Sequence, residues 1–199
     1  MKCSSKPLIL FIFFTLTPLV ALGQSDSGDM SSLSIVGFDP HTGDVGIALA
    51  SRFFAVAPIA AHVRADVGAV ATMGGAPHSK GSTILDWLEE GLTPESVLKR
   101  LQQAYPEGIG QINIVDARGN SISTTNSNQA RMWHGHKYGR HYAAAGNLLT
   151  GPEVVNAFAE SFESTAAIEL PLAERLLQAL EAADRMGGDA RGRMGATLV

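Results

Sequence analysis

What constrains this chain most is the order in which its two hydrophobic periodicities arrive. Leu33, Ile35 and Gly37, then Val45, Ile47 and Leu49, alternate with their neighbours as half-buried strands do. Asp39, Pro40, Thr42 and Gly43 between them suit a tight turn, so 32–38 and 44–53 read as a hairpin. A third extended run follows at 61–73. The period then becomes helical. Ser82 or Thr83 caps a helix through Glu90, stopped by Gly91. Thr93 followed by Pro94 and Glu95 opens a second, with Val97, Leu98 and Leu101 on one face. Strands return at 111–116 and 121–125 around the turn 117–120. Helices follow at 152–162 and 171–185, the latter with Leu172, Leu176, Leu177 and Leu180 at helical spacing, and a final strand is expected at 194–199. Strands and helices therefore come in like groups, β-β-β-α-α-β-β-α-α-β. That order excludes a doubly wound parallel sheet, which alternates strand with helix. It predicts an α+β domain over 32–199 in which helix pairs cover antiparallel sheets.

The first 31 residues have a different character. Lys2 and Lys6 precede an apolar run from Leu8 to Leu22, and Ala21 and Gly23 place a signal-peptidase cut before Gln24. At about 15 residues the run is shorter than the roughly 20 that a spanning helix needs. Residues 1–23 are therefore expected to be a cleaved signal peptide of a secreted or periplasmic protein. Residues 24–31 are polar and small, and read as a flexible lead. Cys3, the chain's one cysteine, lies in the part removed, which leaves no disulfide and no zinc-ribbon spacing.

Removing the signal takes away two lysines and no acid, moving the net charge from −4 to −6. Such a surface gives no electrostatic draw toward nucleic acid or an anionic membrane. No nucleotide loop, haem motif or calcium loop is present, so no cofactor is expected. The oligomeric state is open at this stage, a homo-oligomer included.

A set of ordered blocks resembles one family. Ser34-Ile35-Val36-Gly37-Phe38-Asp39-Pro40 and Ala50-Ser51-Arg52-Phe53 match its opening hairpin, and Val67-Gly68-Ala69-Val70-Ala71-Thr72 its next strand. Ile114-Val115-Asp116-Ala117, Gly135-His136, Gly146-Asn147-Leu148-Leu149, Gly151-Pro152-Glu153-Val154-Val155 and Pro171-Leu172-Ala173-Glu174-Arg175 follow in order. Gly187-Gly188-Asp189 with Arg191-Gly192 completes the match. These blocks are similar to the family called domain of unknown function 1028, grouped with the Ntn-hydrolase superfamily. The resemblance implies a four-layer α-β-β-α sandwich of antiparallel sheets and helix pairs. It departs at Met73-Gly74-Gly75-Ala76-Pro77-His78, where relatives more often carry Gln after the Thr and then small and Asn-Pro residues.

Ntn chemistry, which the resemblance implies, needs a hydroxyl or thiol on the first residue of the processed chain. Its own α-amine, with an ordinary pKa of roughly 7.7–8, takes the proton. Ser32 matches the family's opening threonine, and Ser34 is the next candidate; the alternative is a pair of solvent-facing strand serines. A signal cut leaves Gln24 first, so a second cut is required. Asn147 is a candidate oxyanion donor or else a left-handed turn residue. Arg52 is a candidate for binding a substrate carboxylate or else a surface ion pair, with Ser51 beside it as a second hydroxyl. Asp189 and Arg191 either line a pocket or lock the last loop, and His136 falls on the family's Gly-His pair. His134, His136 and His141 lack a nearby further ligand, so no metal site is assigned. A Ser-His-Asp triad lacks its Gly-x-Ser-x-Gly elbow. The expected activity is hydrolysis of a small amide or cyclic amide. Its rival is a non-catalytic binding module of the cell envelope on the same fold.

Overall fold

The computed structural model describes residues 32–53, 55–125, 132–168, 170–192 and 195–199. The expected signal peptide, its cut and the expected flexible lead lie outside these residues. The chain is mixed α/β with two antiparallel sheets. One has five strands: β1 (Ser32–Phe38), β2 (Val45–Ser51), β7 (Trp133–Gly139), β8 (Tyr142–Leu149) and β9 (Gly195–Leu198), in the order β7-β8-β1-β2-β9. The other has four: β3 (Ala61–Arg64), β4 (Gly68–Met73), β5 (Gln111–Asp116) and β6 (Ser121–Thr125), in chain order. The helices are α1 (Ala57–Ala60), α2 (Gly81–Glu89), α3 (Pro94–Ala104), α4 (Pro152–Ser164) and α5 (Leu172–Arg185), with a 3₁₀ turn at His78–Lys80. Among the described residues no helix is long and apolar enough to cross a membrane.

Three buried clusters follow from strand parity, since successive side chains leave opposite faces. Leu33 and Ile35 of β1 pack with Val155, Phe158 and Phe162 of α4 and Leu172 and Leu176 of α5. Val36 and Phe38, on the other face of β1, meet Ile47, Leu49, Ala69, Ala71, Met73 and Val115 between the sheets. Val70, Ile112 and Ile114 face outward onto Ile84, Leu85 and Leu88 of α2 and Val97 and Leu101 of α3. Every residue of β1, β4, β5 and β8 is buried, as strands covered on both faces must be.

The elements differ from the sequence expectation in instructive places. The run 61–73 is two strands, turned at Asp66, whose φ is +61°. Ser82 and Thr83 do not cap α2: the helix begins at Gly81 out of the 3₁₀ turn and has no side-chain cap. Thr93 does cap α3, its hydroxyl accepting from the Ser96 amide at 3.3 Å. The hairpin β7–β8 was not expected at all. β8 (YAAAGNLL) is buried on both faces and shows no alternation, while β7 (WHGHKYG) is a polar strand at the sheet's edge. His134 and His136 therefore lie on an edge strand.

Candidate functional site

Antiparallel register brings the candidate residues together. Ser32 pairs with Ser51 on β2 and with Asn147 on β8, so three polar side chains lie in one row across the sheet. Paired residues share a face, and this row faces the opposite sheet. Neither serine of β1 is solvent-facing: Ser32 is 1% exposed and Ser34 fully buried. The Ser32 hydroxyl donates to Ser51 Oγ at 3.0 Å, and that oxygen also accepts from the Phe53 amide at 2.9 Å.

The opposite sheet supplies two side chains that the sequence reading missed. Gln111 opens β5; its Oε1 accepts from Asn147 Nδ2 at 2.8 Å, and its Nε2 donates to the Ser32 carbonyl at 3.4 Å. Asn113, one pleat on, donates from Nδ2 to Ser34 Oγ at 2.9 Å and to the Ser34 carbonyl at 3.1 Å, and accepts from the Ser123 hydroxyl. A signal for both exists in the strand itself. In Gln111-Ile112-Asn113-Ile114 the polar residues alternate with isoleucines, so one face of a buried strand is polar and must find partners.

Asn147 is a strand residue rather than a turn residue. The left-handed position is the next one, Leu148, with φ +50°. Beyond it the last loop folds back: Leu149 bridges to Asp189, and the Ala190 amide donates to the Leu148 carbonyl at 3.0 Å. Asp189 Oδ1 takes both the amide of Arg191 (2.9 Å) and its Nε (3.2 Å), and Arg191 Nη2 lies 3.2 Å from Oδ2. A forked ion pair of this kind fixes a loop, here against the strand end that carries Asn147. Arg52 follows Ser51 directly and is exposed, with no ion pair among the described residues. His136 is set apart. It lies on β7 opposite Ala145, two strands from β1, and stacks on Tyr138 at 6.4 Å.

The segment that departs from the family pattern borders this row. Gly74 has φ +54° and Gly75 φ +81°, and a methyl group built on Gly74 would lie 2.7 Å from Asn147 Nδ2. Only glycine fits there, both for its left-handed backbone and for its contact with the amide. Among the described residues, no three His, Cys, Asp or Glu side chains are placed to hold a metal ion.

The family model for DUF1028, a family of unknown function, matches residues 32–199. The chain is also similar to the crystal structure of protein SPO2555 from Silicibacter pomeroyi, which carries the same family assignment. The two are 28% identical, with a TM-score of 0.73 over 84% of this chain and 74% of that one. No curated protein matches it in sequence.

Proposed function

This chain belongs to the DUF1028 family, and on that premise we propose that it is an exported Ntn-type amidohydrolase acting on a small amide or cyclic amide. Ser32 is its nucleophile and, once it is the first residue, its base. Helix pairs packed outside two facing antiparallel sheets fit the α-β-β-α sandwich of that superfamily. Fold alone does not establish a reaction. The observation that carries the reading is the row Ser51–Ser32–Asn147 at the start of β1, backed by Gln111 from the other sheet.

In the reaction, the Ser32 hydroxyl attacks the amide carbon and its proton passes to the free α-amine. The amine then hands that proton to the departing nitrogen, and water clears the acyl-enzyme by the same route. Asn147, its amide held by Gln111, is the donor for the developing oxyanion. Arg52, exposed beside Ser51, is suited to a substrate carboxylate. Asp189 and Arg191 support the strand end beneath Asn147 and touch substrate less directly. Ser34 fits the nucleophile role less well than Ser32. A chain starting at Ser34 would lose the Ser32 and Leu33 pairs to both β2 and β8, and Asn113 already engages the Ser34 hydroxyl.

Intact mass and N-terminal sequencing of the exported protein test this directly. A chain beginning at Ser32 is the expected result. A chain beginning at Gln24 leaves no α-amine on the serine and turns the assignment to a non-catalytic envelope-binding module.

A further inference from the structure

The candidate hydroxyl is shut in: Ser32 and Gln111 are each 1% exposed and Asn147 is 8% exposed. In the chain before processing, a substrate reaches them only if something moves. Residues 74–80 touch this row through Gly74, which packs on Asn147 and Gln111, and the two left-handed glycines make the start of the segment a natural hinge. What holds its far end is a polar cluster on the other face of β4. His78 Nδ1 lies 3.1 Å from the hydroxyl of Thr72, which is itself fully buried, and His62 Nε2 lies 3.5 Å from the same oxygen. The His62 ring also fills the space where any side chain at Gly81 would stand, seating the start of α2 on β3.

We propose that residues 74–80 are an acid-released lid over the Ser32 row, latched by His78 and His62 on the Thr72 hydroxyl. This deepens the hydrolase reading and rests on it for its purpose, though not for its detection.

The cluster suits neutral rings only. Thr72 can donate to one imidazole and accept from the other, which leaves His78 Nε2 buried without a partner. A proton added there would be a buried donor with nothing to receive it. Both rings also sit at the start of α2, whose first turn holds no acid. Burial holds these imidazoles below their ordinary value of 6.5, outweighing the backbone contacts with Ile59 for His62 and Thr72 for His78, which act the other way; His78 adds a smaller lowering at His62. No carboxylate nearby reverses this. On the elements packed here, α1, β2 and β4 carry no charged side chain, and the 3₁₀ turn adds only Lys80. Arg64 of β3 is paired with Asp86 and Glu89 of α2.

The sign is then fixed. The open state, with ordinary imidazoles, binds more protons, so the latch is whole above the ordinary value and weakens as pH falls below it.

Hydrogen exchange of the full chain, corrected for intrinsic rates, reads the opening without any substrate. Between about pH 7.5 and about pH 5.5 the amides of residues 74–80 should exchange at least tenfold faster, roughly the gain from one histidine titrating only in the open state. The ladder amides of β4 and β5 should not change. His62→Gln combined with His78→Asn, which keeps hydrogen bonding without titration, should abolish the pH response. An unchanged rate in the wild-type chain, or an equal acid response in the double variant, overturns the lid. N-terminal sequencing of the same samples separates the two ideas: a pH-insensitive segment in a chain processed at Ser32 removes the lid alone. An acid-opened segment in a chain starting at Gln24 keeps the lid and removes the hydrolase.

Discussion

Along β1 the side chains facing the opposite sheet change character halfway. Ser32 and Ser34 come first, Val36 and Phe38 after them. Around Val36 the layer between the sheets is apolar, with Ile47, Ala143 and Val115 all fully buried. Around the two serines it is polar, with Ser51, Gln111, Asn113, Ser123 and Asn147 all at most 8% exposed. Both halves are packed between the same two sheets, so burial alone does not explain the difference. The apolar half gains from every atom removed from water. The polar half gains little net and must satisfy each donor and acceptor to avoid a penalty. A chain selected only for stability has no reason to build it, and that is why function is sought there.

The largest effect expected is at the first serine. Ser32→Ala should abolish turnover while the circular dichroism stays native, whereas Ser32→Thr keeps a hydroxyl and should retain activity. A dead but folded Thr variant would count against the hydrolase. Next, breaking the apolar half with Ile47→Ala should lower stability by about 2–5 kcal/mol, through lost burial and the cavity left behind. Chemical denaturation measures it, and a loss below 1 kcal/mol would mean that this half is not the anchor described. Asn113→Ala should cost less, about 1–3 kcal/mol, because it strands the buried Ser34 and Ser123 hydroxyls rather than opening a large void. A double-mutant cycle with Ser34→Ala sharpens this, since the second substitution removes one stranded group and the two costs should not add. The smallest is Gly74→Ala, about 1–2 kcal/mol for the left-handed backbone. Its useful readout is the Asn147 side-chain amide resonance, which should shift because the new methyl displaces it.

Much of the architecture is legible in the sequence. Alternation locates β1 and β2, the turn at 117–120 separates the strands β5 and β6, helical spacing locates α3 and α5, a helix is read at α4, and Thr93 caps α3 as its sequence indicates. The hairpin β7–β8 was not legible. Alternation appears only when one face of a strand is polar, whether wet or, as along β1 and β5, lined with buried Ser, Gln and Asn, and β8 (YAAAGNLL) is small and apolar on both faces from Ala143 up to Asn147. The missing hairpin also hid the nature of Asn147, which looked like a turn residue because glycine precedes it.

The candidate site divides the same way. Ser32, Ser51 and Asn147 could each be picked out by residue type and by resemblance. Their meeting in one row could not, since it depends on two strand pairings that join positions 19 and 115 residues away from Ser32. Gln111 and the lid's latch depend further on how one sheet stacks on the other and how α2 seats on His62. Sequence by itself determined which segments must bury a face, because periodicity is a local property of the chain. Which polar groups share that burial was decided only by tertiary structure. A hydrogen bond between buried side chains is a fact of three-dimensional distance, and no local pattern encodes it.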